Sequence, residues 1–95
     1  MLELAGEYDI STRDDLNAAL DRAFADAHGL LAIDLTNVTF MDAHCTGMLI
    51  SAAAHRRVVA VGATGMVARV MDVLDPGQHL PRRSTRPDHR ATRLG

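Results

Sequence analysis

Positions 42–47 of the 95-residue chain read DAHCTG, so that a carboxylate, an imidazole, a thiol and a hydroxyl crowd into Asp42, His44, Cys45 and Thr46. Three chemistries need such groups: metal ligation, nucleophilic catalysis and phosphate acceptance. The spacing is too tight for an ordinary four-ligand set, and His28, His55, His79 and His89 form no paired ligand pattern, so no metal is expected. Asp42 has no identifiable nucleophile and base around it, which argues against catalysis. A cysteine beside a helix amino end can have a lowered thiol pKa, but an inert small residue is the plainer reading of Cys45. His44 can titrate near neutral pH, and its plainer reading is an exposed loop histidine. Thr46 reads as a first-turn or capping threonine in preference to a phosphate acceptor, and Asp42 as the residue that caps the helix or fixes the loop.

These residues need a strand, a turn and a helix to hold them. Residues 30–35 (LLAIDL) form an almost continuous apolar run, as in a central strand covered on both faces. Thr36 and Asn37 close it, a short step follows, and a small-residue helix is expected to begin within 42–47. A helix amino end carries unpaired N–H groups and partial positive charge, so this junction is the natural place for a site.

The remaining elements follow the same alternation. Leu2 and Leu4 flank Glu3 with the period of a half-buried strand that Gly6 closes, and Glu7, Tyr8 and Asp9 link it onward. Ser11 or Thr12 can cap a helix with Asp14 and Asp15 in its first turn; Leu16, Ala19, Leu20, Ala23, Phe24 and Ala27 share its apolar side, and Gly29 stops it. His55, Arg56 and Arg57 suit the carboxyl end of the second helix, and 58–61 (VVAV) is the next buried strand. Thr64 can cap a third helix in which Met66, Val67, Val70, Met71, Val73 and Leu74 recur at helical spacing, before Pro76 and Gly77. Met48, Met66 and Met71 read as core filling. Gly62 to Gly65 lacks the residues of a phosphate loop or dinucleotide fingerprint. Strands separated by helices of this length predict right-handed crossovers and an α/β sheet.

Composition bounds the rest. Only 3% of residues are aromatic, so aliphatic side chains and methionine must fill a modest core. Every basic residue is arginine, and residues 1–79 carry five of them against eleven acids, whereas 80–95 carry five against one. Arg82, Arg83, Arg86, Arg90 and Arg93, without interleaved aromatics, predict a solvated tail and no direct nucleic-acid contact. The domain is expected at 1–80 and a basic, disordered tail at 81–95. One cysteine, no apolar run of membrane-spanning length and strand-like sequence directly after Met1 point to a reducing cytoplasm and no membrane.

The phrases LELAGEYD at 2–9 and TFMDAHCTG at 39–47, in this order of elements, resemble the STAS domain of bacterial anti-sigma factor antagonists over roughly residues 2–74. The resemblance implies a small STAS-type α/β domain with a mixed, mostly parallel sheet. It also implies a non-catalytic, cofactor-free module that binds a serine-kinase-type anti-sigma factor and so regulates sigma-dependent transcription. The alternative is a scaffold or regulatory subunit of a multi-STAS assembly, binding other STAS proteins or itself through the edge at 2–4. Family members begin with a further strand, antiparallel to LxLxGE, which this sequence is expected to lack, and carry more residues between the second helix and the next strand, a link that is shortened here. In the family the loop reads Asp-Ser-Ser-Gly-Leu-Gly, with the second Ser phosphorylated. Asp42 then matches the Asp, Ala43 the first Ser, His44 the phosphoacceptor, and Cys45, Thr46 and Gly47 the remainder. The six residues form the expected partner-binding loop, and its usual serine switch is missing.

Overall fold

The computed structural model describes residues 1–84. Its elements alternate as β1 (Leu2–Tyr8), α1 (Arg13–Asp26), β2 (Leu31–Met41), α2 (Ala43–His55), β3 (Val58–Val61), α3 (Gly65–Leu74) and β4 (Arg82–Arg83). The four strands lie in the order β1-β2-β3-β4, and every neighbouring pair is parallel. Among the described residues the sheet is therefore wholly parallel, where a mixed sheet was expected.

A parallel sheet in chain order needs a crossover between every pair of strands, and crossovers of one hand leave their helices on one face. The core agrees with that geometry. Leu16 and Leu20 of α1, Cys45 and Leu49 of α2, and Val67 and Met71 of α3 join Leu31, Ile33, Leu35, Val58 and Ala60 in one cluster. In the first half of β2 alternate residues, Leu31, Ile33 and Leu35, belong to it, as the period of a strand requires.

Three expectations about the strands change. β2 does not turn at Thr36 and Asn37 but runs eleven residues to Met41. β1 follows it past Gly6, pairing Tyr8 with Met41, with register shifts on either side of the Ala5–Gly6 pairings. β3 pairs with β2 only as far as Asp34↔Val61. Thr36 and Asn37 thus lie on a two-stranded extension beyond β3, exposed to solvent, which explains their polarity without a turn.

The third change concerns residues 80–83, on either side of the expected boundary at residue 80. Leu80 is fully buried, Ala60 N–H donates to the Pro81 carbonyl at 2.8 Å, and Gly62 N–H to the Arg83 carbonyl at 2.9 Å. Arg82 bonds to Asp72 and to the carbonyl of Ala68 and is not a solvated tail residue. The expectations for Arg86, Arg90 and Arg93 lie outside the described residues.

The helices hold their expected places with different caps. Thr12 and Thr64 occupy N-cap positions without side-chain capping bonds. The Thr12 hydroxyl instead accepts from Asp9 N–H at 2.9 Å. α1 ends at Asp26, before Gly29. Met71 is buried and Met48 packs against the core, but Met66 is 56% exposed, so its reading as core filling is corrected.

Candidate functional site

The carboxyl ends of β1 and β2 lie side by side, with Asp42 N–H donating to the Tyr8 carbonyl at 3.0 Å. This pairing brings the β1–α1 loop against the start of α2. Asp42 is the N-cap: its Oδ1 accepts from Cys45 N–H at 2.8 Å, while its carbonyl accepts from Thr46 N–H. The Cys45 N–H is the chief cause of a carboxyl pKa below the ordinary value, with smaller help from Arg13 and His44. The capping reading of Asp42 is the one the geometry supports.

The loop divides into an inner and an outer set. Cys45 and Thr46 are fully buried, whereas Ala43 and His44 are exposed and Gly47 is half-buried. Cys45 Sγ lies 3.8 Å from the Asp9 carbonyl. Burial, followed by the hydrogen bond and charge of Asp42, pushes its thiol pKa up to about 11. A low-pKa thiol at this helix end is therefore overturned, and desolvation is the reason. Among the described residues the buried Thr46 hydroxyl has no hydrogen-bond partner, and its burial gives no access to a phosphate donor, which argues against it as a substitute acceptor in the folded chain.

Two features of the site were not read from the sequence. Ile10, in the loop beside Asp9, is 77% exposed. Asp9 shapes that loop by accepting from Ser11 N–H and Ser11 Oγ at 2.9 and 2.6 Å; the Ser11 hydroxyl is the main cause of its lowered carboxyl pKa. Secondly, a shallow groove of about 530 Å³ runs between α1 and α2, with His44 and Ala43 at one end, Leu20, Phe24 and Met48 along it, and Asp21 and Ser51 on its walls. The polar spacing on α1 could have suggested the groove; nothing in the sequence marked Ile10. Among the described residues no group of three His, Cys, Asp or Glu side chains is placed to hold a metal, and no helix is long and apolar enough to cross a membrane.

Taken together, these features define a small parallel βα-repeat domain with an aspartate-capped helix start at the carboxyl edge of its sheet. The chain belongs to the STAS-domain family: the family described as "Mlab, STAS domain" matches residues 1–81. Among solved structures it is similar to the anti-sigma factor antagonist SpoIIAA in its unphosphorylated form, at 18% identity and a TM-score of 0.61, covering 97% of this chain and 84% of that one. At this identity the likeness speaks for the fold. No curated protein sequence matches the chain.

Proposed function

We propose that this chain is a non-catalytic regulatory module of the cytoplasm, an antagonist that binds an anti-sigma factor of the serine-kinase type and so regulates sigma-dependent transcription. The observation that carries the reading is the exposure of His44 and Ala43 on the first turn of α2, at the mouth of the α1–α2 groove, with His44 matched to the serine that is phosphorylated in the antagonists. Asp42 to Gly47 form the docking segment: Ala43, His44 and the surface of Gly47 touch the partner, and Asp42, Cys45 and Thr46 set the helix start behind them.

A phosphoserine here would add about −1.5 to −2 charges to an interface, enough to disrupt a partner face that does not tolerate acid. His44 offers no hydroxyl, so kinase action cannot release this antagonist by that route. Purified chain is to be tested as bait against the anti-sigma kinases of its source organism, with and without ATP. Binding that ATP does not weaken, together with phosphorylation and release of a His44→Ser variant, is the expected result. A folded bait that retains none of these kinases would overturn the proposal.

One observation favours the second reading, assembly with other STAS domains or with itself: among the described residues β1 is an edge strand of seven residues, paired only with β2. Such an edge can accept another strand. Oligomers lost in an Ala5→Pro variant, with kinase binding absent, would select this reading.

A further inference from the structure

The opposite end of the molecule carries a second cleft of about 390 Å³, where the end of α2, the starts of β2 and β3, and β4 converge. Among the described residues its lining includes Arg56, Arg57, His79 and Arg83 and no carboxylate. That segregation is notable in a chain whose residues 1–79 carry an excess of acids. We propose that this cleft binds a small organic phosphate, with the phosphate on Arg57 and Arg83 and its apolar body on Leu30 and Pro81.

The two arginines stand on backbone that the sheet holds. The Arg57 carbonyl accepts from Leu31 N–H at 2.8 Å, and the Arg83 carbonyl from Gly62 N–H at 2.9 Å. Neither side chain is in an ion pair among the described residues, whereas Arg82 beside them is engaged by Asp72. Guanidinium groups match phosphate oxygens in charge and in fork geometry, and a low-dielectric wall concentrates their field.

The other two residues have narrower roles. Arg56 lies over the Phe24 ring, 4.9 Å from its centroid, with Nη1 3.5 Å from the Phe24 carbonyl, and forms one wall. His79 places Nδ1 3.1 Å from Asp75 Oδ1, leaving Nε2 for a ligand. Among the described residues Asp75 is the one carboxylate bonded to any of the four, and it is not part of the lining. Leu30 supplies the apolar floor: it is a large aliphatic residue left 54% exposed. A cleft of this size falls within the range of small-molecule sites.

The test uses the full chain, with 1-naphthyl phosphate as probe and 1-naphthol and inorganic phosphate as controls, followed by calorimetry and by backbone amide NMR. Saturable binding of naphthyl phosphate that shifts the amides of Leu30, Val58 and Val59 is expected, with at least about tenfold weaker binding of each control. An Arg57→Ala, Arg83→Ala double variant should bind at least about tenfold more weakly with an unchanged circular dichroism spectrum. An Arg57→Lys, Arg83→Lys variant should recover part of the loss. Phosphatidylcholine vesicles carrying phosphatidic acid separate the two sources of the phosphate. Co-sedimentation that needs both arginines assigns it to a lipid head group, and its absence beside saturable binding assigns it to a soluble ester. No saturable binding, equal binding of naphthol, amide shifts confined to the start of α2, or an undiminished double variant would each overturn the proposal. Because the cleft lies at the opposite end of α2 from His44, kinase binding can fail without affecting this result.

Discussion

The carboxylate of Asp42 accepts the backbone N–H of Cys45 at 2.8 Å, so one side chain both ends β2 and starts α2. Without it that N–H, at the buried first turn of a helix, has no intrahelical acceptor. Asp42→Ala is expected to lower stability by about 1 kcal/mol, within the range found for N-cap removal, with Asp42→Asn close to the parent. Urea unfolding followed by circular dichroism measures the difference. If the partner-docking proposal holds, Asp42→Ala should also weaken anti-sigma binding by more than its effect on folding, since it loosens the turn that presents His44.

Asp75 plays the corresponding part at the end of α3. Its Oδ1 accepts from His79 N–H and its Oδ2 from Leu80 N–H, each at 2.9 Å, and the residue is 5% exposed. This clasp turns the chain so that Leu80 enters the core and residues 82–83 pair with β3. Asp75→Ala leaves two amides without acceptors and is expected to cost about 2–3 kcal/mol, from the usual worth of hydrogen bonds to a charged group. Loss of amide-exchange protection at Ala60 and Gly62, which donate to the carbonyls of Pro81 and Arg83, would locate the damage.

The same group gives stability a pH dependence of definite sign. The Leu80 N–H, followed by the groups of His79, holds the folded Asp75 carboxyl below its ordinary value, and the Cys45 N–H does the same for Asp42. As pH falls, the unfolded chain takes up these protons first. The contribution is therefore complete above the ordinary carboxyl range and is lost from about pH 5 downward, through the depressed folded values. The urea midpoint should fall between about pH 6 and pH 3, and Asp75→Asn should flatten the slope. An equally steep fall in that variant would assign the dependence to other groups.

How much of this was legible in the sequence depends on which force set each element. The helices were, because apolar periodicity and packing act together there: Leu16 and Leu20, and Val67 and Met71, are both the pattern and the buried faces. The cap at Asp42 was legible for a local reason, since its hydrogen bond spans three residues. The length of β2 was not, because the exposure of Thr36 and Asn37 follows from where β3 stops. β4 was hidden for a related reason. Two arginines have no strand signature, and their place comes from Leu80 and from the carbonyls of Pro81 and Arg83 pairing with β3. At the site, residue types identified the segment, but only the fold could separate exposed His44 from buried Cys45 and Thr46.

Cys45 makes that separation measurable. With its pKa near 11, only about one thiol in a thousand is ionised at pH 8, against roughly a quarter for a free cysteine. Reaction with a disulfide reagent should therefore be more than about a hundredfold slower in the folded chain than in urea, before steric exclusion is counted. Native reaction at the free-thiol rate would show that the first turn of α2 opens readily. Asp42→Asn removes the nearby charge and should raise the native rate modestly, whereas Asp42→Ala should raise it further by fraying the turn.

Gly62 joins the sheet to the loop before α3 at φ +78°, a conformation that side-chain-bearing residues adopt at a cost. A Cβ placed there would lie 2.2 Å from Thr36 Oγ1 and 3.2 Å from the Thr36 Cα and Cβ. The hydroxyl cannot simply swing away, because it donates to Asp34 Oδ1 at 2.6 Å while Thr36 N–H donates to the same oxygen at 2.9 Å. Gly62→Ala is therefore expected to cost at least about 2 kcal/mol, combining the left-handed backbone with the collision. Thr36→Ala in that background removes the closest contact but leaves the φ and the 3.2 Å approaches. The double variant should then be more stable than the Gly62→Ala single variant yet remain below the parent, a positive coupling that a double-mutant cycle in urea would measure. Strict additivity would mean that β2 and β3 move apart to admit the methyl group, and that the close approach of Gly62 to Thr36 does not hold the end of the sheet.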